Sequence, residues 1–152
     1  MNVLIVDDSR ANRVLLHRFM SLWGFKAIEA ENADEAAWVL NENSNFHLIM
    51  LDQSMPRVTG VELVRWIRQQ PKLTKIPILM ISGAAKSTEV AEAVTAGITE
   101  FLYKPVNMEV LKAKLDSMGI SSSEDTAPKP LSEEEQLKAE LRAMGIDPDK
   151  IT

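Results

Sequence analysis

Within residues 1–120, short apolar runs alternate with segments of helical spacing, and this alternation restricts the fold more than any other feature. The runs Val3-Leu4-Ile5-Val6, His47-Leu48-Ile49-Met50-Leu51 and Ile76-Pro77-Ile78-Leu79-Met80-Ile81 have the length of strands buried on both faces. Phe25-Lys26-Ala27-Ile28-Glu29-Ala30 and Glu100-Phe101-Leu102-Tyr103 are weaker runs of the same kind. Between them, Ala11, Leu15, Phe19 and Leu22 share one helical face, with Ser9 as N-cap. Residues 33–40 offer Ala36, Ala37, Val39 and Leu40 to pack, and Val61, Val64 and Ile67 form a stripe after Gly60. Val90 and Val94 lie four apart with Gly97 as a stop. Met108, Leu111, Leu115 and Met118 repeat at steps of three and four, with Asn107 as cap. Strand then helix, five times over, predicts an α/β fold with a parallel sheet and right-handed crossovers.

Composition closes off other classes. Hydrophobic residues make up 45% of the 152 and charged residues 26%, a globular balance. No apolar run approaches the roughly 20 residues needed to span a bilayer. The start lacks a positive n-region and meets two acids after four apolar residues, so no signal peptide is expected and the natural compartment is the cytoplasm. Cysteine is absent, which removes disulfides, zinc–thiolate sites and thiol catalysis. Net charge is -5, spread unevenly. Residues 1–120 carry 14 acids and 13 bases, whereas residues 121–152 carry 8 acids and 4 bases. Neither part has a basic stripe, so no nucleic-acid partner is expected.

In a parallel open sheet, ligands bind beyond the carboxyl ends of the strands. Asp7 and Asp8 follow the first run, Asp52 the third, Ser82 and Gly83 the fourth, and Lys104 the fifth. Three carboxylates, a hydroxyl and an ammonium therefore converge on one edge. Carboxylates held together repel and raise at least one pKa unless a cation relieves them. Mg²⁺ suits this set, because it takes one or two carboxylates with waters and phosphate oxygens. A metal, a lysine and amide donors around one carboxylate nucleophile suit formation of an aspartyl phosphate.

The constellation resembles the receiver domain of two-component response regulators, and in particular the single-domain chemotaxis-type receivers. The matching residues are Val3-Leu4-Ile5-Val6-Asp7-Asp8-Ser9, Leu48-Ile49-Met50-Leu51-Asp52-Gln53-Ser54-Met55-Pro56, Thr59-Gly60, Pro77-Ile78-Leu79-Met80-Ile81-Ser82-Gly83, and Ala96-Gly97 through Phe101-Leu102-Tyr103-Lys104-Pro105. They cover about residues 1–118. The resemblance implies a doubly wound, flavodoxin-like sheet of five parallel strands over residues 1–120. It implies that Asp52 takes phosphate from a sensor histidine kinase or a histidine phosphotransfer protein and then signals to a downstream protein effector. On this reading the protein is a phosphoacceptor that catalyses only its own Mg²⁺-dependent phosphorylation and dephosphorylation. Asp8, Asp52 and the Ser54 carbonyl would ligate Mg²⁺, with Asp7 holding it through water. Ser82, Gly83 and Lys104 would contact the phosphoryl group, and Phe101 would turn inward when Ser82 moves. Lys86, Glu89, Met108 and Lys112 would form the partner-reading face, on a monomer or a weak phosphorylation-linked dimer. A phosphotransfer intermediate or phosphate sink is the alternative. A Mg²⁺-dependent phosphatase ranks below both, because the position two after the nucleophile is Ser54 rather than a second acid. Three departures from the family pattern stand out: Ser82 replaces the usual threonine but keeps the hydroxyl, so switching should survive; Phe101 lacks a phenolic oxygen to bond a partner; and Ser54 and Ala84 are both small, which bears on the lifetime of the phosphorylated state.

Residues 121–131 read as a polar, proline-bearing linker, and residues 132–152 as a short helical tail. Ser132 caps, Glu133 to Glu135 suit the first turn, and Leu137, Leu141 and Met144 form a narrow apolar stripe ended by Gly145. A helix of about 12 residues is marginal alone, so the stripe should dock. Its seat is either the receiver's own switch face, made by the fourth helix, fifth strand and fifth helix, or a partner or second copy, which the flexible linker favours. The 32 residues after Ile120 hold no basic recognition helix, so a DNA-binding output is not expected. His17 and His47 have no metal-spaced partners and are expected to be structural or solvated, and Trp23, Trp38 and Trp66 are expected to pack.

Overall fold

The computed structural model describes residues 1–55, 57–83 and 87–120, together with Leu137, Glu140, Leu141, Ala143 and Gly145. The strands β1 (Asn2–Val6), β2 (Lys26–Ala30), β3 (Leu48–Asp52), β4 (Ile78–Ser82) and β5 (Glu100–Tyr103) alternate with α1 (Arg10–Leu22), α2 (Ala33–Glu42), α3 (Gly60–Gln69), α4 (Ser87–Ala96) and α5 (Met108–Ser117). All five strands are parallel, in the order β2-β1-β3-β4-β5. The expected α/β sheet is present, and its strand order reverses between β1 and β3. Every residue of β3 and β4 is buried, as continuous apolar runs require when helices cover both faces.

Side chains of period two split the core into two layers. Leu4, Val6, Ile49, Leu51, Ile78 and Met80 face α2, α3 and α4. Val3, Ile5, Leu48, Met50, Leu79, Ile81 and Leu102 face α1 and α5, where Leu16, Phe19, Met20, Leu111 and Leu115 meet them. Each such side chain, fully buried, contributes roughly 1.5–3 kcal/mol of transfer free energy before ordering costs.

Local signals set the helix starts. Ser9, Asn32, Thr59 and Asn107 each accept a backbone N–H through the side chain, and Thr59 with Glu62 completes a reciprocal capping box. Gly97 closes α4 at φ 116, where a side chain would be strained. Arg68, in the last turn of α3, donates to the carbonyls of Gly97, Leu73, Thr74 and Ile76 at 2.8–3.2 Å. It ties the end of α4 and the approach to β4 to one helix.

Three helix-face expectations shift. On α1 the buried residues are Leu16, Phe19 and Met20, while Leu15 and Val14 are exposed. On α4 Ala93 is buried and Val94 is 61% exposed, so the valine pair is not the packing stripe. Trp23 is buried and Trp66 packs at the edge of the core, but Trp38 is 64% exposed on α2.

Beyond Ile120, Leu137 and Leu141 are buried in the α1–α5 layer. They lie with the receiver's own core on that side, in a layer that takes in Leu102 of β5 and, among the described residues, none of α4. Leu137, Glu140, Leu141 and Ala143 have helical backbone, and Gly145 stands at φ 83, consistent with the expected stop. Lys86, Met144 and the linker 121–131 lie outside the described residues.

Candidate functional site

The reversal of strand order puts the ends of β1 and β3 side by side with a crevice above them. Asp7 follows β1 and Asp52 ends β3, 2% and 4% exposed, while Asp8 faces solvent. Ligand oxygens of the three lie within 4.8 Å of one another. Lys104, just past β5, places Nζ 3.2 Å from Asp52 Oδ1 and 3.4 Å from Asp7 Oδ2. Ser82 ends β4 and is buried, and Lys104 N–H donates to its carbonyl at 2.9 Å. Gly83 follows, with the Lys104 stem close enough that a Cβ there would touch it at 3.9 Å. The six expected site residues Asp7, Asp8, Asp52, Ser82, Gly83 and Lys104 are thus one group.

Burial, then the charge of Asp7, pushes the Asp52 pKa up to about 6, against the pull of Lys104. Burial works against the Lys104 ammonium, but the charges and hydrogen bonds of Asp52 and Asp7 outweigh it and raise its pKa. One ammonium therefore serves two buried carboxylates and leaves Asp8 over. An oxygen-only donor set with surplus negative charge and one member open to water fits a hard divalent cation.

Several residues not singled out in the sequence fix this geometry. Asp7 Oδ1 accepts the Ser9 N–H at 2.8 Å, and the Asp7 carbonyl accepts from Arg13 Nη1 at 2.7 Å. Arg13 is itself held by Glu29 of β2 at 3.3 Å, whose other oxygen lies 2.8 Å from His17 Nδ1. His17 is thereby structural, as expected, and so is His47, whose Nδ1 accepts the Asn2 N–H at 3.0 Å. Gly60 abuts the acceptor strand: a Cβ there would stand 2.6 Å from the Asp52 carbonyl oxygen. Gln53 then clamps the start of α3, its Oε1 accepting from the Val61 N–H at 2.9 Å. A cavity of about 380 Å³, lined by Asp7, Asn12, Leu15, Leu16, Ile81, Lys104, Pro105 and Val106, opens beside the acids on the α1 side. The signal for Arg13 was a cation about one turn into the helix that follows the acid pair, which only a three-dimensional path to Glu29 makes legible.

Other expected positions spread along the α4–β5–α5 flank. Phe101 is half-buried against the core, 5.0 Å edge-on from Tyr103, which is 56% exposed. Glu89 is partly exposed on α4. Met108, expected at the partner face, is instead buried in the α1–α5 layer, because the first turn of α5 points it at the sheet. Val110 takes the outward place at 41% exposure. Lys112 is partly buried and Ser54 is exposed.

Fold and site together define a receiver-type module, and the chain belongs to the response regulator receiver domain family, which residues 3–116 match. It is similar to a chemotaxis protein CheY homolog of Campylobacter jejuni, 34% identical over 129 residues that span 84% of this chain and 99% of that one. The chemotaxis protein CheY1 of Helicobacter pylori is likewise 34% identical, over 76% of this chain and 94% of its own. Among solved structures, Vibrio cholerae CheY4 superposes with a TM-score of 0.73 at 31% identity, covering 76% of this chain and 96% of that one. The chain is a two-component signalling protein, and no helix among the described residues is long and apolar enough to cross a membrane.

Proposed function

We propose that this protein is a response regulator that signals by phosphorylation-dependent protein binding, with Asp52 as phosphoacceptor. The observation that carries this reading is a buried carboxylate 3.2 Å from the Lys104 ammonium and grouped with two further acids at the sheet's switch point. The donor is a phosphohistidine on a histidine kinase or a histidine phosphotransfer protein. An Asp52 carboxylate oxygen attacks phosphorus, the P–N bond breaks, and its electron pair returns to the imidazole. Asp8, Asp52 and the Ser54 carbonyl would hold Mg²⁺, with Asp7 holding it through water, and the ion would supply positive charge for the phosphoryl group. Lys104 hands its hydrogen bonds from the carboxylates to a phosphoryl oxygen, while the Ser82 hydroxyl and the Gly83 amide donate to the others. Hydrolysis of the aspartyl phosphate then resets the protein in the cytoplasm.

Val94, Tyr103 and Val110, at 61%, 56% and 41% exposure, supply the apolar part of an effector-binding face on α4, β5 and α5. Glu89 and Lys112 supply its charged part. Phe101 links that face to Ser82, since an aromatic with two packings is a bistable element. The test is labelling with acetyl phosphate, with Mg²⁺ or with EDTA. Wild-type protein is labelled only with the metal and Asp52→Asn not at all. Undiminished labelling of Asp52→Asn overturns the assignment.

A further inference from the structure

Leu137 and Leu141 are 8% and 1% exposed in the apolar layer of α1 and α5, whereas Glu140 and Ala143 face outward. Both leucines lie beyond the residues that match the receiver family, and beyond a sheet and five helices complete by Ser117. We infer that the α1–α5 face is a docking surface for an amphipathic helix with leucines four residues apart, filled in cis and reversibly by this chain's own C-terminal segment.

Charge favours this occupant. Helix α1 exposes Arg10 and Arg18 and carries no acid, while residues 121–152 hold twice as many acids as bases. Tethering favours it too, because a short covalent connection raises the effective concentration of the segment to about millimolar. Reversibility follows from size: two leucines bury little area, and a helix of about 12 residues is marginal without a seat. The position gives the seat a consequence. Leu16 belongs to the same apolar layer as the two leucines and also lines the cavity beside Asp7 and Lys104, so one layer joins the seat to that cavity. A protein that offers this face a helix of the same leucine spacing competes with the tail for it.

The test uses the full chain and a synthetic peptide of residues 132–146, followed by titration calorimetry. A tether of about 1 mM and a seat filled about tenfold over empty correspond to an intrinsic Kd of about 0.1 mM, within reach of titration. The peptide binds a chain carrying Leu137→Asp and Leu141→Asp, and binds the wild-type chain at least about tenfold more weakly because its seat is taken. A peptide carrying the same two substitutions binds neither. In the wild-type chain the Leu141 amide exchanges at least about tenfold more slowly than in the double variant. Labelling of Asp52 by acetyl phosphate shows that the double variant is folded, and Leu141→Ala replaces it if it is not, with weaker peptide binding expected. Equal binding to both chains, no binding to the substituted chain, or a freely exchanging Leu141 amide overturns the proposal. Because labelling of Asp52 is read separately, that failure leaves the phosphoacceptor reading standing.

Discussion

Asp52 is a carboxylate whose native environment favours its protonated form. Its pKa is about 6 in the fold against 3.8 for an ordinary aspartate. Between those values the native state binds a proton that the unfolded chain has lost, so the stability this group contributes is present at low pH and falls as pH rises. Above the window the ionised group costs the metal-free fold up to about 3 kcal/mol. Asp52→Asn should therefore raise the Tm in EDTA at pH 7.5, with the gain vanishing toward about pH 4. Adding Mg²⁺ should narrow or reverse the order, since the wild-type protein gains more from binding. Arg13 acts through the Asp7 carbonyl, 2.7 Å away, and not on the phosphoryl group. Arg13→Ala should weaken Mg²⁺ binding about 5- to 10-fold while the labelling rate at saturating Mg²⁺ stays within about twofold. An equal loss at saturation would instead place Arg13 in the reaction. The acids and Lys104 were legible in the sequence because each closes an apolar run. Arg13 was not, because its partner Glu29 sits on another strand.

At the scale of elements, the start of α3 is the tightest join. Gly60 has no room for a Cβ, with the Gln53 Cα at 2.8 Å as well as the Asp52 carbonyl. Gly60→Ala should cost about 1–3 kcal/mol in urea unfolding, through displaced backbone rather than lost contacts. The strands were readable to within two residues, since continuous apolar runs have no phase to mistake. Helix faces were harder. On α1 the apolar residues at 14, 15, 16, 19, 20, 22 and 23 support two overlapping stripes, and only the position of the sheet selects Leu16, Phe19 and Met20. On α4 the buried position is Ala93, smaller than its valine neighbours, so hydrophobicity pointed to the wrong residues.

The whole molecule separates its tasks by face. Acids gather at one end of the sheet, exposed Val94, Tyr103 and Val110 lie along α4, β5 and α5, and the tail leucines are buried in the layer of α1 and α5. Mg²⁺ with beryllofluoride should shift amide resonances at Val94, Tyr103 and Val110 as well as in the crevice. Shifts confined to the crevice would break the link through Phe101. The sequence could say that the leucines need a seat but not which one, because a seat is a property of surfaces brought together by folding. The three tryptophans divide the same way, one to each setting: Trp23 buried in the α1–α5 layer, Trp66 at the edge of the opposite layer, and Trp38 in water. The protein thus carries its own optical probes. Iodide quenches the Trp38 emission, and the light that remains comes from the two core layers, with Trp23 reporting on the layer that the tail shares.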